Sequence, residues 1–322
     1  MKPLRNILLR PSGHVATDLA ADAVRLLAME DGAIRTAVAV PAPFGSDGGG
    51  WTAGLRSAVR AAGLRGRECR VTLPSRLFRM EITSMPPMSE PDRARSARFE
   101  AMDRFGVDPE TAVIRHVPIG TDARQVLLMA ADGATLGSVV GPLVEAGLLP
   151  CSVEPAAWAA IRGAMAFAGL GDSGRVAFVS LEPELACVTL LQDGVIVSFR
   201  CVHGHWGQAT AGTMHRHAAV ETELALEGDD ESWKWSALAE EMVRALRGNG
   251  CEQAWPERLV LTGPGTDEAS LRSTLSGVCG LPVVSAQSGT WAGGAPVPAG
   301  DLWAPAFGSV VLDGPLGIRR AA

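Results

Sequence analysis

The sharpest change of hydrophobic rhythm along the chain falls between Val71 and Val107. Val71, Leu73, Leu77, Met80 and Ile82 give its first part the apolar character of an extended segment, which stops at Pro86-Pro87. Beyond that stop Ala94, Ala97, Ala101 and Phe105 recur at helical spacing, with Arg93, Arg95 and Arg104 towards the other side. Ser89 is placed to cap this helix, with Asp92 as its capping-box partner and Pro91 in the first turn. A strand handed across a Pro-Pro break to a basic amphipathic helix predicts one subdomain inserted into another.

The flanking sequence carries simpler patterns. Residues 14–40 read as consecutive strands, with Asp31-Gly32 as a hairpin turn, and Trp51 to Ala62 reads as a helix ended by Gly63. After the insertion's first helix, Ala112–Ile119 and Gln125–Ala131 are strands. A helix from Ala134 to Ala146 follows, which Pro142 should kink or start. Cys151 to Glu154 is extended, and Pro155 opens an Ala-rich helix to about Ala168. Val176–Leu181, Ala186–Leu191 and Val195–Arg200 are three more strands, the last two joined at Asp193-Gly194. Cys201 to Ala218 reads as irregular and Ala219 to Arg247 as mostly helical. Arg258–Thr262 reads as a buried strand running into Gly263-Pro264-Gly265. A helix over 268–275, a strand Pro282–Ser285, a Gly/Pro-rich loop and Trp303–Leu312 complete the pattern.

At 322 residues the chain is long enough for two lobes with sizeable cores. A net charge of −6 supplies no domain-wide basic field and argues against a nucleic-acid protein. The Arg residues of 93–104 read first as a solvated helix face and second as a site for one acidic partner. No stretch approaches the ~18 unbroken apolar residues of a spanning helix, so the chain is expected not to cross a membrane itself. Six cysteines lie far apart without a C-x-x-C pair, which predicts reduced thiols in a cytoplasmic protein.

Two local motifs invite chemistry. Gly171-Asp172-Ser173-Gly174 spells the start of a serine-protease nucleophile motif, but no His-bearing partner segment of that class precedes it. Cys201, His203, His205, His215 and His217 alternate as zinc ligands on an extended chain would, yet their spacing fits no structural zinc pattern. The expectation is therefore a polar loop and no metal.

The chain resembles the type IV pilus assembly protein PilM family, related to FtsA and to the cytoplasmic part of GspL. The run Leu73-Pro74, Ile82, Met85-Pro86, Glu90 and Ala97-Arg98-Phe99-Glu100-Ala101 carries the likeness in the insertion. Val126-Leu127-Leu128, Ala130-Ala131, Val144, Gly147 and Val153-Glu154-Pro155 to Arg162 carry it further. The resemblance implies an α/β fold, the actin-like (ribonuclease H-like) two-lobed fold with an inserted small α/β subdomain. Its lobes would span 1–170 and 171–322, with the insertion at about 88–150.

Proteins of this kind hold nucleotide between the lobes, on two glycine-bearing hairpins and a Gly-rich turn. The resemblance places Asp18, Gly263 and Gly265 in that cleft. Asp18 would be positioned to hold Mg²⁺ through water. Ala20 stands where a glycine admits phosphate, and Asp22 brings a carboxylate to the same hairpin. Ser180 and Glu182 replace the Asp and Gly of the second hairpin, and Pro183 removes a donor. A carboxylate a few Å from triphosphate repels it by on the order of a kcal/mol even when screened. These departures predict a vestigial cleft, no bound cofactor and no ATP hydrolysis.

In the family the groove beside the insertion takes the N-terminal cytoplasmic tail of an inner-membrane partner, PilN. Arg95, Arg98 and Phe99 are the candidates for that contact, with Phe99 expected to pack at a subdomain seam. The implied role is a cytoplasmic scaffold, peripheral at the inner membrane through its partner, in a pilus or type II secretion assembly. An active actin-like ATPase using ATP and Mg²⁺ is the alternative, and a sugar- or acid-kinase relative a third reading.

Overall fold

The computed structural model describes residues 15–30, 33–41, 50–119, 124–168, 174–204, 232–247, 255–266, 269–285 and 300–311. Its plan is one sheet topology used twice. In the first sheet β1 (Val15–Leu19), β2 (Ala23–Glu30) and β3 (Ala33–Pro41) form an antiparallel meander. Then β4 (Glu68–Leu73) and β8 (Leu149–Pro155) extend it in parallel, giving the order β3-β2-β1-β4-β8. The second sheet repeats this with β9 (Arg175–Glu182), β10 (Leu185–Gln192), β11 (Val195–His203), β12 (Arg258–Thr262) and β13 (Val283–Ser285), in the order β11-β10-β9-β12-β13.

Both sheets are covered on both faces, which is why their strands read as apolar runs with weak alternation. On the first sheet Val15, Leu26 and Val71 face α1 (Gly50–Ala61) and α3 (Gly133–Glu145), where Leu55, Val59 and Leu143 meet them. Ala16, Leu27 and Met29 face the opposite way, onto Trp303, Ala306 and Phe307 of α7 (Gly300–Val311). On the second sheet Val179, Leu181 and Val188 pack on α5 (Ser232–Arg247) and α6 (Ala269–Cys279). Phe178, Leu185 and Val260 pack on Trp158 and Ile161 of α4 (Ala156–Ala168).

A small antiparallel sheet, β5 (Arg79–Ser84), β7 (Gln125–Asp132) and β6 (Ala112–Pro118) in the order β5-β7-β6, carries α2 (Glu90–Phe105) on one face. Along β7 the sides alternate. Val126, Leu128 and Ala130 meet Ala97 and Ala101 of α2, while Leu127 and Met129 join the core of the second sheet. The insertion therefore sits on the second lobe as well as hanging from the first.

Local signals place most boundaries. Ser89 caps α2, accepting from the Asp92 N–H, and Gly106 ends it in the left-handed conformation at φ 63°. Asp193 and Gly194 both take positive φ, 51° and 76°, as a two-residue hairpin turn requires.

The structure corrects four expectations. The extended segment from Val71 is two strands in two different sheets, separated by a 3₁₀ turn over Ser75–Leu77. Residues 201–203, expected to be irregular, belong to β11. The helix expected to stop at 275 runs to Cys279. Pro142 does not start α3 but lies inside it, in its last turn. The Asp31-Gly32 turn, the 171–173 motif segment and residues 205–218 lie outside the described residues.

The two lobes meet along α4 and α7. Ala and Gly line the crossing, so the backbones touch. A Cβ on Gly163 would strike the Ala304 carbonyl, and one on Gly308 the Ala159 carbonyl. Arg162 is buried there, donating to the Gly308 carbonyl at 3.0 Å and pairing with Glu154 at the end of β8.

Candidate functional site

Between the lobes, the turn after β1, the turn after β4 and the turn after β9 converge. Asp18 lies on β1 opposite Arg25 of β2 and beside Thr72 of β4. That register places three polar side chains where the sheet would otherwise bury only hydrocarbon. Thr72 Oγ1 donates to Asp18 Oδ1 at 2.7 Å, and Arg25 Nη1 stands 3.6 Å from Asp18 Oδ2. The other end of the Arg25 guanidinium binds both oxygens of Asp22, at 3.0 and 2.8 Å. Asp18 is 1% exposed, and burial lifts its carboxyl to about 6 although Arg25 and Thr72 pull the other way.

Glu182 ends β9 and reaches across to the first lobe. Its Oε2 accepts the backbone N–H of Ser75 at 2.8 Å, while its buried Oε1 has no hydrogen-bond partner among the described residues. Burial pushes this carboxyl up to about 7, and the charge of Asp18 adds to the rise. Ser75 is fully buried and does two jobs. Its Oγ also accepts the Ala157 N–H at 3.0 Å, satisfying one of the unpaired donors in the first turn of α4. A second contact between the same two turns, Arg76 to Glu184 at 3.4 Å, lies at the surface.

The third expected element, Gly263-Pro264-Gly265, follows β12. Gly263 has φ +104°, and a Cβ there would collide with the Leu181 carbonyl of β9. This glycine is thus required by packing within its own lobe, whatever else occupies the cleft. Ser180 and Thr262 are buried nearby as register partners on β9 and β12.

The structure brings Asp18, Asp22 and Glu182 together with Arg25, Thr72 and Ser75. Sequence reasoning missed Arg25, Thr72 and Ser75 as members of the site, the last two because they act through contacts far apart in the chain. Chemically the cleft offers two carboxyls raised towards neutrality and one guanidinium already shared between two carboxylates. Ala20 lies in the turn, its N–H bonded to the Ala23 carbonyl at 3.0 Å and so not offered to a ligand. Among the described residues no group of three or more His, Cys, Asp or Glu is arranged to hold a metal ion. Cys201 instead faces Cys187, Sγ to Sγ 3.4 Å, and His203 is exposed. His205, His215 and His217 lie outside the described residues.

The candidates for partner contact lie on α2, away from the cleft. Phe99 is 62% exposed, which corrects the expectation that it packs at a seam, because α2 turns Ala97, Ala101 and Phe105 to the small sheet. Met102 and Val113 are also exposed. Arg95 pairs with Asp92 at 3.5 Å on the solvent side, and Arg98 donates to the Pro109 carbonyl at 2.7 Å. Among the described residues no helix is long and apolar enough to cross a membrane.

No protein-family model and no curated protein sequence matches the chain. Solved structures do. The chain is similar to one from a PilM–PilN type IV pilus biogenesis complex, at TM-score 0.71 and 16% identity, over 93% of this chain and 98% of that one. It is also similar to a Bacteroides thetaiotaomicron protein described as having an actin-like ATPase fold and unknown function. There the TM-score is 0.52 and identity 10%, over 88% of this chain and 93% of that one. With two sheets of one topology joined by crossing helices, the chain has the actin-like ATPase fold.

Proposed function

We propose that this protein is a nucleotide-independent adaptor at the inner membrane, serving a type IV pilus or type II secretion assembly. It acts from the cytoplasm by binding the N-terminal tail of a PilN-like membrane protein, and its lobes are 1–170 and 171–322 with an insertion at about 88–150 whose sheet also takes in β5 (Arg79–Ser84). The observation that carries the reading is the filled cleft. Arg25 is spent on Asp18 and Asp22, and Glu182 is spent on Ser75, at the two hairpins where the fold elsewhere admits phosphates. The likeness to a PilM–PilN complex supports the choice of partner class. Asp18 is thereby a structural remnant, as are Gly263 and Gly265, and no hydrolysis follows.

The tail is expected to engage the exposed face of α2 around Phe99, Arg95 and Arg98. Truncating an aromatic anchor commonly costs about 2 kcal/mol, or about thirtyfold in affinity. The test is a fluorescence titration with the N-terminal peptide of the neighbouring bitopic membrane protein, with and without Mg·ATP. Saturable binding that ignores ATP and weakens in Phe99→Ala, with unchanged circular dichroism, is expected. Micromolar ATP binding with steady hydrolysis would overturn the nucleotide-independent part. Equal binding by wild type and Phe99→Ala would overturn the assignment of the surface.

A further inference from the structure

The fold brings together two cysteines that stand 14 positions apart in the sequence. Cys187 of β10 and Cys201 of β11 are direct partners in the antiparallel register. Residues opposed in such a ladder have Cα atoms about 4.5–5.5 Å apart, within the roughly 4.4–6.8 Å that a disulfide spans. The two sulfurs already stand 3.4 Å apart. A bond needs them at about 2.05 Å, an approach that small rotations of the two side chains supply.

The two thiols are unequal. Cys187 is 1% exposed, and its hydrogen bond with Cys201, together with burial, holds its thiol well above the ordinary range. Cys201 is half-buried and lines a groove of about 450 Å³ between β5 and β11, with His203 beside it. A small oxidant therefore reaches Cys201 first. Cys151 is more exposed but donates to the Cys69 carbonyl at 3.3 Å, which makes it a comparison thiol in a different setting.

We propose that Cys187 and Cys201 are a modification site, a dithiol that a hydroperoxide oxidises reversibly to a disulfide between β10 and β11. The Cys201 sulfur attacks one oxygen of hydrogen peroxide, the O–O bond breaks, and the thiol proton leaves with the other oxygen as water. Cys201 is then a sulfenic acid. The Cys187 sulfur attacks it, the S–S bond forms, and the Cys187 proton leaves with the sulfenic hydroxyl as a second water. Two thiols lose two electrons in total, and one peroxide is reduced to two waters. In a reducing compartment the pair rests as thiols, and a small dithiol returns it to that state by exchange.

The position of the pair gives the bond a consequence. The Ser75 hydroxyl is within hydrogen-bonding reach of the Cys187 thiol, and Ser75 also joins the lobes through Glu182 and the first turn of α4. Closing the bond draws the Cys187 sulfur towards β11 and away from Ser75. The redox state of the pair thus bears on the link between the lobes, whatever partner the protein holds.

The experiment treats the full chain with hydrogen peroxide and maps disulfides by peptide mass spectrometry. A bond between Cys187 and Cys201 that dithiothreitol removes is expected, in wild type and equally in Cys151→Ser. Cys187→Ala should instead stop at the sulfenic acid and give a dimedone adduct on Cys201 at least about tenfold above wild type, with unchanged circular dichroism. On oxidation, amide hydrogen exchange over residues 74–77 should quicken about fivefold, the scale of one modest hydrogen bond. No bond between these two cysteines, oxidation that goes first to Cys69 or Cys151, or a Cys201 bond linking two chains overturns the proposal. A bond that forms and leaves exchange at 74–77 unchanged overturns its coupling to the lobes.

Discussion

Replacing Glu182 by Gln separates the charge of this carboxyl from its shape. Gln keeps an oxygen to accept the Ser75 N–H across the lobes, and removes the ionisable proton. In the folded chain the Glu182 carboxyl titrates at about 7 against an ordinary 4.5, because burial penalises its ionised form. Below pH 4.5 it is protonated whether the chain is folded or not, so the group has no influence there. Between 4.5 and about 7 the folded chain holds a proton that the unfolded chain has released, and stability falls as pH rises. Above that window both states are ionised and the whole penalty is present. At about 1.4 kcal/mol per pH unit, the interval corresponds to about 3 kcal/mol.

Glu182→Gln should therefore match wild type near pH 5 and exceed its stability at pH 8 by up to about 3 kcal/mol. Asp18, lifted to about 6 chiefly by burial, titrates in the same window, and its charge is one of the influences that raise Glu182. Urea unfolding followed by tryptophan fluorescence at about pH 5, 6.5 and 8 measures this, with variant and wild type compared at each pH so that other titrating groups cancel. A constant difference at all three pH values would refute the reasoning. So would a variant that loses stability at pH 8, because either result means that the ionised carboxylate is well accommodated.

Two further substitutions test the packing. Gly308→Ala would gain up to about 1 kcal/mol as a plain helix substitution but must push a Cβ into the Ala159 carbonyl, so a net loss of about 3 kcal/mol is expected. Gly137→Ala in α3, where a Cβ meets nothing within 4 Å, should instead gain about 0.5–1 kcal/mol, and thermal melts of the pair give opposite signs if the crossing is as close as described. Ser89→Ala removes the cap of α2 and should cost about 1 kcal/mol, read as a lower urea midpoint with an unchanged slope.

Much of this architecture was legible because its signals are local. The Ser89 cap, the Asp193-Gly194 turn and the apolar runs of β1, β2, β9 and β10 each depend on residues a few positions apart. The break between β4 and β5 was not legible. Leu77 and Phe78 resume the apolar pattern of Leu73 directly after the 3₁₀ turn, and only the pairing partners show that the two strands belong to different sheets. α7 was hidden for a different reason. Pro305 and Gly308 discourage a helix when read locally, yet Gly308 is what permits the contact with α4 that holds α7 in place. Within the site, the replacement of glycine by Glu182 was visible in the sequence. Its partner was not, because Ser75 offers a backbone N–H, and any residue but proline carries one.

That last point bears on why the fold persists under the proposed function. In a two-lobed protein whose cleft takes no nucleotide, protein groups must set the angle between the lobes. Ser75 supplies one such link, through its N–H to Glu182 and its Oγ to the first turn of α4. Arg162 supplies another, tying α4 to β8 through Glu154 and to α7 through the Gly308 carbonyl. A third runs from Arg70 of β4 to the Ser309 carbonyl of α7 at 3.2 Å. Each of the three leaves a buried charge or backbone group unsatisfied if it opens, at a cost of about 1–3 kcal/mol apiece. A hinge restrained in this way keeps the two large sheets in a fixed relation. That constancy is useful to a platform that holds partners, and it would obstruct a machine that must open to exchange ADP for ATP.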